Sequence, residues 1–148
     1  MIYRDMTAED VPEVWDLECR LFPEDAWPVA MFQGELAQVS TRRYWVAVDA
    51  GRIVAYCGMM CVLPIADVQT LAVAPEYEGR GIGSTLLRQL VDEARNRGAR
   101  DVMLEVRADN PRAQALYVRF GFEHIHTRRG YYPGNVDAQV MRLVLASA

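Results

Sequence analysis

The chain has 148 residues, 51% of them apolar, and a net charge of −4. That length suits one domain with one core, and the apolar fraction excludes a disordered chain. No apolar run approaches the roughly 20 residues of a membrane span, the charged start (Arg4, Asp5, Glu9, Asp10) is unlike a signal peptide, and the acidic balance is unlike a nucleic-acid binder, so the expectation is a cytoplasmic protein.

In chain order, Ile2–Asp5 reads as a short strand. Thr7 followed by Asp10 has the pattern of a helix cap with an acidic third position. The helix after it carries Val11, Val14, Trp15 and Leu21 near one face and stops before Pro23. Pro28 is expected in the first turn of a second helix, with Val29, Phe32 and Leu36. The period then changes. Tyr44–Val48 and Arg52–Leu63 are strand-like runs separated by the turn signal Asp49-Ala50-Gly51, and Asp67–Val73 is a third, ended by Pro75. Ser84–Arg97 is helical, with Leu86, Leu87, Leu90, Val91 and Ala94 on one stripe and Gly98 as its stop. Asp101–Arg107 alternates as a strand, Pro111–Phe120 is a helix closed by Gly121, and Phe122–Arg128 and Ala138–Leu145 complete the strands. The order β-α-α-β-β-β-α-β-α-β-β predicts one domain of mixed α/β (α+β) class, a mixed central sheet flanked by helices.

The cysteines fit a reducing compartment. Cys57 and Cys61, four apart on a strand, would lie about 13 Å from one another and cannot pair. With Cys19 they are expected to be buried thiols. His124 and His126, read as sharing one strand face, lack an obvious third ligand, so no metal is expected.

Between a strand and a helix runs Glu78-Gly79-Arg80-Gly81-Ile82-Gly83-Ser84. Alternating glycines let the backbone turn tightly and present N–H groups at a helix N-terminus, where an anionic phosphate can bind; an ordinary glycine-rich turn is the alternative. The loop has no lysine, which excludes a P-loop, and its G-x-G-x-G lies past mid-chain, which does not suit a dinucleotide fold. With Gly81 and Gly83 at its two small positions, the segment resembles the [Q/R]-x-x-G-x-[G/A] signature of the GNAT acetyltransferases, with Glu78 in place of the usual Gln or Arg. The resemblance implies the acyl-CoA N-acyltransferase fold and acetyl-CoA as co-substrate. Backbone groups of Gly79, Arg80, Gly81, Ile82, Gly83 and Ser84 would hold its pyrophosphate. Leu71-Ala72-Val73 would pair with its pantetheine arm, and Asn110 and Tyr117 would also touch it.

On Asp101–Arg107, Val102, Leu104 and Val106 point one way and Met103, Glu105 and Arg107 the other. A carboxylate in so apolar a strand needs a partner or a task. Arg107, two residues along, is the structural partner. The task, if this is an acetyltransferase, is to strip a proton from the acceptor, since an ammonium has no lone pair with which to attack a thioester. Tyr117 by itself reads as core with Leu116 and Phe120. In the family pattern N-x-x-A-x-x-L-Y, matched by Asn110–Tyr117 and followed by Phe120-Gly121-Phe122, the tyrosine protonates the departing thiolate.

Three segments narrow the resemblance. They are Leu104-Glu105-Val106-Arg107 with Asn110 and Ala115-Leu116-Tyr117; the tail Arg128-Arg129-Gly130-Tyr131-Tyr132 with Asp137-Ala138 and Met141; and Phe22-Pro23 with Trp27. They resemble the RimI-type ribosomal-protein-alanine N-acetyltransferases. That likeness implies catalysis by Glu105 as base and Tyr117 as acid on the basic N-terminal peptide of a ribosomal protein, with no nucleic-acid, membrane or metal partner. Glu24, Asp25 and Asp67 are the candidates to meet a positive second residue of that peptide, and Tyr131-Tyr132 to form its rim at a hairpin tip. A small-molecule amine, a lysine or another protein's terminus are the alternative acceptors.

Overall fold

The computed structural model describes residues 1–145. Two compact units are distinguished, Met1–Met60 with Gln69–Leu90, and Cys61–Val68 with the chain from Val91 onward. The elements are β1 (Ile2–Asp5), α1 (Val11–Leu21), α2 (Val29–Ala37), β2 (Arg42–Asp49), β3 (Arg52–Val62), β4 (Ile65–Val73), α3 (Ile82–Asn96), β5 (Asp101–Arg107), α4 (Pro111–Phe120), β6 (Glu123–Tyr132) and β7 (Val136–Val144), with single 3-10 turns at Ala8–Asp10 and Pro75–Tyr77. β4 and α3 each give residues to both units. The described residues form seven strands and four helices, the mixed α/β architecture expected. Among the described residues no helix is long and apolar enough to cross a membrane.

In the first unit the strands lie in the order β1-β2-β3-β4, with β1–β2 and β2–β3 antiparallel. Its core gathers Met6, Val11, Val14, Leu17, Phe32, Tyr44, Val46 and Tyr56. The cap at Thr7 is stronger than its sequence pattern suggests. The Asp10 carboxylate accepts from the Thr7 N–H at 2.8 Å and from both terminal nitrogens of Arg4 at 2.7 and 2.9 Å, and the Arg4 bond foremost holds its pKa below the usual carboxylate range.

Three expectations need correction here. Trp15 is 38% exposed, because the buried face of α1 runs Val11, Val14, Leu17 and Glu18 and leaves Trp15 one residue past it. Glu18 takes that core position. Its carboxylate accepts from the Tyr56 hydroxyl and from the Trp27 N–H at 3.0 Å, which ties the chain between α1 and α2 to the unit. Pro28 is extended (ψ 157°) and stands just before α2, where its carbonyl accepts from Met31 N–H. Cys19 is partly exposed, unlike the buried Cys57 and Cys61, and all three thiols are free.

Gly58 faces Tyr44 across β2–β3, and a Cβ there would lie 2.1 Å from the ring. The ring cannot swing aside, because its hydroxyl donates to Glu35 at 2.8 Å, and Glu35 also accepts from Gln69 and Arg42 at 3.1 Å each. Gly58→Ala is therefore expected to cost about 3 kcal/mol, the upper range for overpacking, measurable as a lowered urea midpoint with unchanged slope.

In the second unit the order is β4-β5-β7-β6. β4 joins β5 in parallel through only three pairs, Ile65–Asp101, Ala66–Val102 and Asp67–Met103. β5 pairs antiparallel with β7 along its whole length. Val102, Leu104 and Val106 are buried, as their alternation requires. Pro111 opens α4 behind Asn110, whose amide oxygen accepts from Ala113 N–H at 3.1 Å, and Gly121 ends the helix at φ +110°. β6 runs four residues beyond the expected Arg128, β4 begins two before the expected Asp67, and α3 opens two before Ser84.

Candidate active site

Met103, Glu105 and Arg107 lie on the partly exposed face of β5. Glu105 pairs in the ladder with Val140 of β7, and Arg107 with Ala138. On the far side of β7, His124 pairs with Met141 but His126 with Val140, so Ile125 is an inserted residue, a β-bulge. The bulge turns β6 over by one position. It corrects the expectation that His124 and His126 share a face, because their partners are neighbours on β7 and point opposite ways. Among the described residues no group of three His, Cys, Asp or Glu is placed to hold a metal ion.

The same bulge puts Arg128 opposite Ala138, on the face that carries Glu105. A second irregularity follows between Arg128 and Tyr132. Gly130 there adopts φ +60°, its N–H donates to Asp137 Oδ1 at 2.9 Å, and a Cβ would stand 2.7 Å from Asn135 Oδ1. Only glycine fits. The excursion carries Tyr131 back to Glu105, whose carboxylate accepts a hydrogen bond from the phenol. The Glu105 charge first, then that bond, raises the Tyr131 pKa above its ordinary value.

Arg128 Nε lies 3.6 Å from Glu105 Oε1, and its guanidinium covers the Tyr131 ring at 5.6 Å. Arg107 binds Asp109 at 2.9 and 3.1 Å and lies over the Tyr132 ring. Asp67 completes the surroundings: burial, then the Glu105 charge, raises its pKa. Arg128 and Tyr131 were expected in the tail, with Tyr131 at the rim of the peptide site, and Asp67 flanking that site, but none against Glu105 itself, where they stand. The tail motif marked the first two, but neither bulge has a local signature that would have placed them.

Tyr117 is 5% exposed, its ring edge-on to Phe122 at 5.6 Å, and its carbonyl accepts from Phe122 N–H at 2.9 Å. Its ring is therefore packed, as the spacing with Leu116 and Phe120 suggested. Tyr131 is 53% exposed and Tyr132 pairs with Val136 across the turn, so the tyrosine pair does sit at a hairpin end.

The glycine loop belongs to the first unit. Leu71, Ala72 and Val73 end β4, and the β4–β5 ladder has already stopped at Asp67. After the Pro75–Tyr77 turn, Gly79 and Gly81 take φ +80° and +79°, and α3 starts at Ile82. The Gly81 carbonyl accepts from Thr85 N–H at 3.0 Å and Thr85 Oγ1 at 2.9 Å, which fixes the first turn. The N–H groups of Ile82, Gly83 and Ser84 precede any intrahelical acceptor and carry the positive end of the helix dipole. A Cβ on Gly81 would meet nothing within 4 Å, so the φ value demands glycine and the space over it is open. Arg80 stacks on the Tyr77 ring at 4.7 Å, held by the Tyr77 hydroxyl donating to Asp49 at 2.7 Å. These features suit a phosphate. Glu24 and Asp25 also lie in the first unit, between α1 and α2.

Residues 11–122 match the acetyltransferase (GNAT) family. The chain is 42% identical to N-alpha-acetyltransferase RimI of Mycobacterium tuberculosis over 93% of its own length and 88% of that protein. Its fold is similar to the crystal structure of ribosomal-protein-S18-alanine N-acetyltransferase from Escherichia coli, with TM-score 0.89 and 32% identity over 99% of this chain and 95% of that one. Arabidopsis thaliana NAA60 in complex with acetyl-CoA shares the fold at TM-score 0.89 and 20% identity, over 97% and 98% of the two chains.

Proposed function

The chain belongs to the GNAT family and is an N-acetyltransferase, and we propose that it transfers acetyl from acetyl-CoA to the terminal α-amine of an alanine that begins a ribosomal protein. The observation that carries this reading is the Glu105 carboxylate on an accessible strand face, only 29% exposed yet ringed by groups that orient it. Glu105 takes a proton from the acceptor ammonium, directly or through a water. The freed lone pair attacks the thioester carbonyl carbon, and the C–N bond forms. As the adduct collapses, its nitrogen gives up its second proton to water, the C–S bond breaks, and Tyr117 gives its proton to the leaving thiolate.

Gly79, Arg80, Gly81, Ile82, Gly83 and Ser84 bind the pyrophosphate of acetyl-CoA through backbone N–H groups, and Leu71, Ala72 and Val73 offer edge groups to its pantetheine arm. Asn110 also contacts the donor, through the part of its amide that does not cap α4. We read the whole chain as a single domain for this purpose, since the family match draws on both units.

Basicity favours the α-amine. Its pKa is near 8 against about 10.4 for lysine, a difference of roughly 3 kcal/mol toward the reactive neutral form. The net charge of −4 suits a basic peptide, and a ribosomal acceptor is met in the cytoplasm. The relatives' names supply the alanine and the ribosomal protein.

A peptide beginning Ala-Arg should be acetylated on its terminal nitrogen far faster than the same peptide with that amine blocked and a lysine inside, as read by mass and fragmentation of the product. A polyamine or amino sugar that outperforms every peptide would replace the acceptor assignment.

A further inference from the structure

Asp67 has no part in the chemistry described so far, yet it lies where that chemistry happens. It is the last residue of β4 to pair with β5, and its partner is Met103. Paired residues of adjacent strands point to the same face, and Met103 and Glu105 alternate onto one face of β5, so Asp67 and Glu105 share that face. One strand spacing sideways and two residues along put their backbones about 8 Å apart, within reach of one small cation lying between the two side chains.

The Asp67 carboxylate is half-buried, and among the described residues it has no hydrogen-bond or ion-pair partner. The charged groups around it are accounted for elsewhere. Glu105 repels it, Arg128 stands at 3.6 Å from Glu105, and Arg97, just past the end of α3, is paired at 2.8 Å with Glu93 of that helix. A half-buried carboxylate beside a second carboxylate and without its own cation is costly, and a bound cation relieves the cost. Arg128 is poorly suited to relieve it, because it is half-exposed and already faces Glu105 across a long contact.

We propose that Asp67 is a specificity-determining residue of the transfer reaction, receiving the acceptor's terminal ammonium together with Glu105 and holding it until Glu105 takes its proton. The inference rests on the reading of Glu105 as the base. It moves Asp67 from the acceptor's second residue to its α-nitrogen, and it makes the charged form of the amine the species that enters. Burial and the neighbouring charge raise the Asp67 pKa, so its own charge is lost as the pH falls, and recognition should weaken in acid.

The test is steady-state kinetics of the full chain with an Ala-Arg peptide and saturating acetyl-CoA. It is run near pH 6.5, where an amine of pKa about 8 is ammonium, and near pH 9.5, where it is neutral. Asp67→Asn should raise the acceptor KM about tenfold at the lower pH and by less than about twofold at the higher, with kcat and the acetyl-CoA KM nearly unchanged. Asp67→Glu, which keeps the charge, should stay close to the wild type, and Asp67→Ser takes the place of Asp67→Asn should that variant not fold. An unchanged acceptor KM near pH 6.5, or an equal rise at both pH values, overturns the proposal. A wild-type protein that leaves the peptide unmodified instead overturns the acceptor reading on which it stands, and an unaffected Glu105→Gln variant overturns the base.

Discussion

The Glu105→Gln protein is expected to fold normally and to lose about 10²–10³-fold in kcat near neutral pH, the usual yield of a positioned general base. The fold should survive because Glu105 contributes little to the core. Its backbone is held in a seven-pair ladder with β7, and an amide of the same shape can still accept from Tyr131. The ion pair with Arg128 is lost, but at 3.6 Å with a half-exposed arginine that pair adds little stability.

What disappears is the proton acceptor, a loss of about 3–4 kcal/mol of transition-state stabilisation. The deficit should shrink as the pH passes the amine's pKa of about 8, because solvent then supplies the neutral nucleophile. A pH–rate profile of both proteins settles it. Equal rates from about pH 6 to 9 would return Glu105 to a purely structural pairing, with Arg128 as its partner.

Gly81→Glu should abolish the thermal shift that acetyl-CoA gives the wild-type protein. Ligand at about 100 times its Kd adds about 2.7 kcal/mol, which for a domain of this size is several degrees in Tm. Two effects act together in the variant. Any side chain at φ +79° strains the backbone, and a carboxylate there places negative charge beside the N–H groups that would face the pyrophosphate. Gly81→Ala separates them: no atom lies within 4 Å of the added methyl group, so only strain remains and a reduced shift should persist. A Gly81→Glu protein that keeps the full shift would remove this loop from the donor site.

Much of this was legible in the residues. The alternation of Val102, Leu104 and Val106 against Met103, Glu105 and Arg107 fixed both the strand and the exposure of Glu105, because a strand with one buried face has no other register open to it. The glycines of the loop announced positive φ angles, which Gly79 and Gly81 adopt. Other features were hidden because the deciding information is not local. Glu18 and Glu35 carry no local mark of burial, yet both are buried, their carboxylates accepting from the Tyr56 and Tyr44 hydroxyls of neighbouring strands. Asp67 was expected to flank the site and meet the peptide's positive second residue. Its closeness to Glu105 depends on which strand lies beside β4 and in what register, and no neighbouring residue encodes that. Arg107 was the natural partner for Glu105 by spacing, but it binds Asp109, while the charge opposite Glu105 comes from β6.

Ile125 makes the last point one of parity. A strand is a two-state device in which odd and even residues face opposite ways, and one extra residue exchanges them for everything downstream. Upstream of Ile125, the count that pairs His124 with Met141 would have set Arg128 opposite Asp137; with Ile125 looped out it meets Ala138. A single insertion therefore decides which side of the sheet receives Arg128, without altering the identity of any residue that faces Glu105. Evolution could redirect the whole hairpin tip, cation and tyrosines together, by gaining or losing one codon well away from the chemistry.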